Sequence, residues 1–196
     1  MMQKLDEPAL DLLFREARSF DRFYSRPVGD ATLRALWDLT KMGPTSANQM
    51  PARFVWCVSE EARTRLAACA SRANADKILG APVTVVIGMD EDFHDLLPEL
   101  FPAQDARSWF ADPAARRLSA LRNGTLQGAY LIFAARSLGL DVGPMSGFDA
   151  AAVEAAFFAD APSVRANFLC AIGYGERDGL TPRNPKPAFE RFNRIA

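Results

Sequence analysis

The spacing of apolar residues along the chain predicts amphipathic helices, in which apolar side chains recur every three or four positions. In the first of them, Leu10, Leu13 and Phe14 share one face. Asp30 and Asp149 each precede an apolar run and are expected to act as helix N-caps. The predicted helices are Pro8–Arg18, one that follows Asp30, Glu60–Ala70, Pro113–Leu138 and Ala150–Phe158.

Runs of β-branched and aromatic residues predict three strands, at Phe54–Val58, Pro82–Gly88 and Asn167–Tyr174. Residues 142–149, VGPMSGFD, combine two glycines with a proline and predict a loop, which is either an ordinary turn or a backbone surface for a flat ligand. Between Met89 and Asp112 only short helical pieces are predicted. Several helices around three strands favour an α+β fold over a doubly wound parallel sheet, in a single domain of residues 1–196.

The composition is that of an ordinary globular protein, with 49% hydrophobic and 24% charged residues among 196. A formal net charge of −1 offers no basic surface to nucleic acid or anionic lipid. No apolar run approaches the roughly 20 residues of a membrane span, and the charged first residues are unlike a signal peptide. We therefore expect a cytoplasmic protein without nucleic-acid or membrane partners.

Few residues are available to ligate a metal or to act as nucleophiles. Cys57, Cys69 and Cys170 are widely separated in apolar or alanine-rich settings, so reduced thiols are expected. Because His94 is the single histidine and there is no CxxC pair, no zinc site is predicted. The sequence also lacks GxSxG, GxGxxG and GxxxxGKS/T motifs, so it predicts neither a serine-hydrolase triad nor a glycine-rich phosphate loop.

Two stretches carry bases that suit an anion. ARSFDRF contains Arg18, Ser19 and Arg22 near the predicted end of the first helix, and TPRNPKPAF contains Arg183 and Lys186 on a proline-stiffened segment. Each stretch also has an ordinary interpretation. A helix C-terminus favours cations through its dipole, and a proline-rich tail can be a surface strap.

Two further stretches offer hydrogen-bonding groups to the edge of a flat ring. Asn and Gln amides carry both donors and acceptors, which suits a pyrimidine-like edge, although a loop with side-chain caps would look the same. In GPTSANQMPARF the polar residues are Thr45, Ser46, Asn48 and Gln49. In GPMSGFD the backbone N–H groups are those of Met145, Ser146 and Gly147, just before a predicted helix, where negative charge is favoured.

In this order, the four stretches resemble the motifs of the nitroreductase family. ARSFDRF stands in place of the family's RRSxRxF, and PTSANQMPARF in place of PSSxNxQPWxF. PMSGF resembles the family's PxEGF, and the closing GY and RNPK match GY…RxPK. The resemblance covers nearly the whole chain. It implies a flavoenzyme with a central, mostly antiparallel sheet, which binds FMN at the interface of an intertwined homodimer.

The resemblance also implies roles for individual residues. The implied FMN phosphate contacts are Arg18, Ser19 and Lys186. The implied ring contacts are Asn48 at the pyrimidine edge, with Gln49 and Arg53 near it, and the backbone N–H groups of Ser146 and Gly147 near flavin N5 and O4. Such preorganised N–H groups would stabilise the negative charge that develops on the flavin as hydride arrives.

The chain departs from the family pattern at three bases that contact or neighbour the phosphate. Ala17, Asp21 and Ala188 stand where bases are usual. A phosphate carries close to two negative charges, so the loss of bases should weaken its binding unless others replace them. Arg22 and Arg183 are the candidates for that replacement.

Longer identities resemble one branch of the family, the malonic semialdehyde reductases of pyrimidine degradation. The chain contains MGPTSAN, LPELFPAQDARSWF and LGLDVGPMSGFD, close to strings of that branch. This resemblance implies ping-pong hydride transfer from NADH or NADPH through flavin N5 to the aldehyde, without a catalytic side chain. Arg107 and Arg122 are candidates for the substrate carboxylate, although Arg107 has Asp105 as an ion-pair partner and Arg122 has an ordinary surface position as alternatives.

Two other functions are consistent with the same motifs. A broad NAD(P)H reductase of nitroaromatics, quinones or enones would share every cofactor motif. A flavin-binding protein without turnover would share them too.

Overall fold

Residues 4–196 are described by a computed structural model, in which four antiparallel strands form one sheet in the order β1-β2-β4-β3. The strands are β1 (Ala52–Cys57), β2 (Val83–Asp90), β3 (Asp141–Met145) and β4 (Val164–Gly173). β1 and β3 therefore form the two edges of the sheet. The α+β class and the antiparallel sheet predicted from the sequence are confirmed.

Eight α-helices surround the sheet within the described range. They are α1 (Glu7–Leu10), α2 (Asp30–Thr40), α3 (Glu60–Ala67), α4 (Arg72–Gly80), α5 (Leu97–Leu100), α6 (Pro113–Ser137), α7 (Ala150–Phe157) and α8 (Phe189–Phe192). A π-helical turn, Asp11–Arg15, continues α1, and single 3₁₀ turns occur at Ser46–Asn48, Phe93–Leu96 and Arg107–Phe110. None of the helices in residues 4–196 combines the length and the apolarity needed to cross a membrane.

Helices cover both faces of the sheet. On one face, Leu36 of α2 and Leu131 of α6 pack against β2 and β4. On the other, α3, α4 and α7 contribute Leu66, Ile78 and Val153 to a second core. Because β2 is covered on both sides, its first seven residues are all buried, which explains why it reads as a continuous β-branched run.

The prediction of a loop over residues 142–149 was wrong in its first half. Val142 to Met145 belong to β3, which pairs antiparallel with β4. Pro144 has no N–H to donate, and an edge strand tolerates it because one side of the strand makes no ladder bonds. Only Ser146 to Asp149 form the connection to α7.

The predicted first helix is too long. The helical turns end at Arg15, and the chain is extended at Ser19, which forms a parallel bridge to Val142. The Phe20 N–H donates to the Val142 carbonyl at 3.0 Å. Arg18 therefore does not lie at a helix C-terminus, and the dipole interpretation of its charge does not apply.

The other boundaries differ in two places. Gly29 is the N-cap of α2, so Asp30 is the first helical residue, and its carboxylate pairs with Arg34 at 2.8 Å. The predicted helix Glu60–Ala70 ends at Ala67, and the separate helix α4 follows it after a short turn. By contrast, Asp149 caps α7 as predicted, with its carboxylate accepting the Ala152 N–H at 3.0 Å.

We predict that Gly143→Ala destabilises the fold by about 1–3 kcal/mol, because an added Cβ would overlap the backbone carbonyl oxygen of Phe20 and force the extended segment away from β3. The measurement is the free energy of unfolding in urea. Gly80→Ala is the control, since a Cβ there meets no atom within 4 Å and alanine favours the helix by up to about 1 kcal/mol. Equal unfolding midpoints for the two variants would contradict this account of β3.

Candidate functional site

Four cations converge on one open pocket of about 340 Å³. It lies where the extended segment after the first helix meets the end of α6 and the C-terminal tail. Its charged and hydroxyl lining residues, called the cationic pocket below, are Arg18, Ser19, Arg136, Arg183 and Lys186. Arg183 attaches the C-terminal tail to the segment after the first helix, because its Nη2 donates to the carbonyls of Arg15 (2.7 Å) and Ala17 (2.9 Å).

The charge of the cationic pocket is uncompensated. Among residues 4–196, none of its four cations forms an ion pair with a carboxylate, whereas Arg15, Arg34 and Arg53 elsewhere all do. Burial lowers the pKa of the Arg136 guanidinium, Asp141 raises it, and the nearby charge of Arg183 lowers it. Like charges held together without a counter-charge repel each other, so this pocket suits an anion with more than one negative charge.

The structure separates Arg22 from the cationic pocket. Its guanidinium donates to the Asp178 carbonyl at 2.9 Å and lies 3.5 Å from Glu176. Asp21, where a base is usual in the family, forms an ion pair with Lys77 at 2.6 Å. Of the two replacements predicted for the missing bases, only Arg183 therefore lines the pocket, and Arg136 joins it unforeseen.

The loop after β3 presents free backbone donors. Ser146 and Gly147 are exposed, and within the described chain neither of their N–H groups donates to an acceptor. Met145 is instead the last residue of β3, paired with Leu169. The start of α4 fixes this loop, because the Gly147 carbonyl accepts hydrogen bonds from the Ser71 N–H and from Asn74 Nδ2, both at 3.0 Å.

Gly147 packs closely against α4. A Cβ at this position would come within 2.8 Å of Asn74 Nδ2 and 3.1 Å of Ser71 Oγ. The sequence prediction gave this glycine a role in ligand approach, but the structure shows a packing reason for it. Asn74 and the almost buried Lys77, which has 12% side-chain exposure, are the polar residues of α4 nearest to this edge, and the sequence analysis missed both.

The loop before β1 has an unusual backbone. Ala47, Asn48 and Met50 adopt left-handed conformations, with φ of 50°, 49° and 40°. Such conformations are uncommon for residues other than glycine and persist where the surroundings hold them, often at functional sites. Two contacts hold this loop. The Ser46 N–H donates to Asn123 Oδ1 of α6 at 2.9 Å, and Thr45 Oγ1 accepts the Met50 N–H at 3.2 Å.

The structure divides the predicted ring contacts of this loop into two groups. Ser46 and Asn48 are exposed, and the Asn48 amide donates to the Leu100 carbonyl at 2.8 Å. Gln49 is fully buried and hydrogen-bonds Ser119 of α6, which is a structural role. Arg53, in β1, is also engaged, in an ion pair with Asp90 at 2.7 Å and in hydrogen bonds to the carbonyls of Met50 and Ala52.

The two halves of the predicted site lie far apart in one chain. The loop of Thr45 to Gln49 precedes one edge strand and packs on α6, whereas Ser146 and Gly147 follow the opposite edge strand and pack on α4, across the sheet. Along α6, Ser119 and Arg136 are separated by roughly 25 Å at 1.5 Å per residue. Within one chain, the Ser119 end of α6, which holds the loop of Thr45 to Gln49, therefore lies far from the cationic pocket.

Helix α6 also carries an exposed apolar surface. Large apolar side chains on the outer side of the helix are exposed, and α2, which packs against α6, extends the surface. The exposed residues are Leu118, Leu121, Leu126 and Tyr130 of α6, with Trp37 and Leu39 of α2 and Met42 after it. Exposed apolar patches of this kind mark association surfaces.

The two arginines predicted to bind a substrate carboxylate differ in their surroundings. Arg107 forms a two-pronged contact with Asp105, at 2.9 Å and 2.6 Å, and these hydrogen bonds lower the pKa of that carboxyl to about 2. Arg122 is exposed on α6 and has no hydrogen-bond partner in the described chain. Of these two arginines, therefore, only Arg122 has a guanidinium without a protein partner in the described chain.

The thiols and the histidine offer no nucleophile. Burial raises the pKa of the Cys57 thiol to about 11 and that of Cys170 to about 12, so both stay protonated at neutral pH. Burial and the nearby Asp149 also raise the pKa of Cys69. His94 Nε2 faces Arg116 at 3.5 Å. Within residues 4–196, no three His, Cys, Asp or Glu side chains are grouped as metal ligands.

A family model, described as the nitroreductase family, matches residues 15–175. The chain belongs to the nitroreductase family. It is 55% identical over its whole length, and over all of the relative, to a protein of Stenotrophomonas maltophilia named "Putative NADH dehydrogenase/NAD(P)H nitroreductase".

Two solved structures share the fold of this nitroreductase-family chain. One, from Exiguobacterium sibiricum, is described as a "putative nitroreductase in complex with FMN". It has a TM-score of 0.86 and 19% identity and covers 100% of both chains. The other is an enone reductase of gut-bacterial fatty acid saturation metabolism, with a TM-score of 0.82 and 16% identity over 98% of this chain and 99% of that one.

Proposed function

We propose that this nitroreductase-family chain is an FMN-dependent NAD(P)H oxidoreductase that acts as a homodimer. The observation that carries the proposal is the cationic pocket. Its four cations have no acidic partner in the described chain, and they surround the Ser19 hydroxyl, a set of donors that suits a phosphate dianion. The family membership and the FMN complex of the Exiguobacterium sibiricum relative support FMN as the ligand.

The residues present fit the other end of FMN as well. The free N–H groups of Ser146 and Gly147 would donate to acceptors on the flavin ring, and their loop is already fixed by α4, so they need no reorganisation. When bound, FMN supplies the chemistry of hydride acceptance from a nicotinamide and hydride delivery to an acceptor. The protein's part is to position the ring and to supply hydrogen bonds around it. Water is the proposed proton source, as no acidic side chain belongs to this set.

The homodimer follows from the divided site. Within one chain, the exposed Ser46 and Asn48 lie at the opposite edge of the sheet from Ser146 and Gly147, and Ser119, which holds their loop, lies roughly 25 Å along α6 from Arg136. A partner chain, docked through the apolar surface of α6, would supply them. We therefore propose that each FMN is bound by the cationic pocket of one chain and by the loop around Asn48 of the other.

The proposed substrate is malonic semialdehyde, which is reduced at its carbonyl carbon to 3-hydroxypropanoate with NAD(P)H as the reductant. The long sequence identities to that branch of the family support this substrate. Arg122 is the proposed contact of the substrate carboxylate, because its guanidinium is free whereas that of Arg107 is occupied by Asp105. The alternatives are a broad NAD(P)H reductase, which the shared fold of the enone reductase favours, and a flavin-binding protein without turnover.

We expect NADH or NADPH to bleach the FMN-loaded protein rapidly in anaerobic stopped-flow experiments, since the proposal makes the flavin the hydride carrier. Malonic semialdehyde and a nitroarene then compete to restore the flavin absorbance. Faster reoxidation by the aldehyde is expected for the proposed reductase. Preference for the nitroarene would favour the broad reductase, and failure of both nucleotides to bleach the flavin would leave only the binding protein.

We expect Arg122→Gln to raise KM for malonic semialdehyde about tenfold or more, because a charge-assisted hydrogen bond to the carboxylate is lost. The KM for an uncharged nitroarene should stay at the wild-type value. Arg117→Gln on the same helix, which removes the ion pair with the mostly buried Glu91 at 3.2 Å, is the matched control once its folding has been checked. A wild-type KM for the aldehyde in Arg122→Gln would remove Arg122 from the site.

A mixed dimer tests whether the site is shared. Arg18→Glu should abolish FMN binding through the phosphate end, and Asn48→Asp should weaken it through the ring end. In a dimer of one chain of each variant, one shared site carries both substitutions and the other carries none. We expect the doubly tagged mixed dimer to bind one FMN with wild-type affinity, by fluorescence titration. Weak binding at both sites would show that a single chain supplies both ends.

A further inference from the structure

The phosphate end of the proposed site lacks three of the bases usual in the family. Ala17, Asp21 and Ala188 cannot supply positive charge, and Arg22 is bound to Asp178 and Glu176 outside the cationic pocket. Three cations of the pocket were expected from sequence, namely Arg18, Arg183 and Lys186. The fourth is Arg136, from the last turn of α6, a helix that supplied no predicted phosphate contact.

The guanidinium of Arg136 is fixed in place but poorly satisfied. Nη1 donates to the Leu13 carbonyl at 2.8 Å, which orients the group against the first helix. Its buried Nε has no acceptor in the described chain, and Nη2 makes no hydrogen bond there either. A guanidinium has five N–H donors, so most of the donors of Arg136 have no protein acceptor in the described chain.

Among residues 4–196, no carboxylate forms an ion pair with Arg136. Asp141 is the acidic residue whose charge acts on it, but the two lie beyond ion-pair distance, and the Asp141 carboxylate accepts the Gly175 N–H at 3.0 Å. Within the pocket, the charge of Arg183 acts on Arg136 and lowers the pKa of its guanidinium. A dianion between the guanidiniums of Arg136 and Arg183 would attract both of them and offset their mutual repulsion. It would also accept hydrogen bonds from N–H groups that have no protein acceptor.

We propose that Arg136 is a phosphate ligand of the bound FMN and takes the place of a missing family base. This inference rests on the proposed function. Arg136 suits the role because it stands on a 25-residue helix packed in the core, whereas Arg183 and Lys186 stand on the tail. Its planar fork matches two phosphate oxygens at once, and its position is set before the ligand arrives.

Arg136 also has an ordinary structural interpretation. A base in the last turn of a helix is favoured by the helix dipole, and the bond to Leu13 ties the N-terminal helix to α6. A structural residue would affect every ligand of the site alike. A phosphate ligand would affect FMN and leave riboflavin, which has the same ring and no phosphate, untouched.

The test is a fluorescence titration of the apoprotein with FMN and with riboflavin. We expect Arg136→Gln to raise the Kd of FMN about 10- to 100-fold, the range of one or two lost charge-assisted hydrogen bonds, and to leave the Kd of riboflavin unchanged. Arg136→Lys, which keeps the charge and loses the fork, should fall between. Arg117→Gln, on the same helix outside the pocket, should bind both flavins as the wild type does.

Two results with Arg136→Gln would overturn the inference. The first is an unchanged Kd of FMN in Arg136→Gln. The second is an equal loss of FMN and riboflavin affinity, which identifies a structural role. If Arg136→Gln does not fold, Arg136→Lys decides, since a loss of FMN affinity with riboflavin unchanged is still required. A wild-type protein that binds neither flavin would instead refute the proposed function, and the inference with it.

Discussion

The pairing of the extended segment after the first helix with the outer edge of β3 is the constraint on which the candidate site depends. Phe20 is fully buried, and its N–H donates to the Val142 carbonyl at 3.0 Å. Gly143 leaves the space in which this close approach occurs. Because Phe20 is anchored in the core, Arg18 and Ser19 are held beside it at the rim of the sheet, where the C-terminal tail and the end of α6 meet them.

Sequence patterns predicted the elements whose periodicity is undisturbed. Helix α6 and strand β2 were found almost at their observed bounds, since one has a proline start and a glycine stop and the other is buried on both faces. β3 was missed because Gly143 and Pro144, which are tolerated at this particular edge, are also the residues of loops. Helix α4 was missed because the predicted helix ended at Ala70, and residues 72–80 contain few apolar positions and include Asn74 and Asp76, which have low helix propensity.

The candidate site was predictable from the sequence only where its residues fall within the family's motifs, because each of those stretches alone also has an ordinary interpretation. Arg18, Ser19, Arg183 and Lys186 meet in one pocket although 162 residues separate the first from the tail in sequence, a distance that only the fold removes. Arg136 was overlooked because a base at a helix end is ordinary. The net charge of −1 gives no sign of a cationic pocket, because the acidic residues that balance its charge in the total form ion pairs elsewhere in the fold.

Helix α6 connects the two ends of the site and sets the distance between them. Near its start, Ser119 and Asn123 hold the loop in which Asn48 has a left-handed backbone, and in its last turn Arg136 lines the cationic pocket. These two ends are roughly 25 Å apart along the helix. A two-fold axis through the middle of the exposed apolar surface would set the loop of each chain against the pocket of its partner. In that arrangement, the length of one rigid helix fixes how far the strained loop stands from the phosphate.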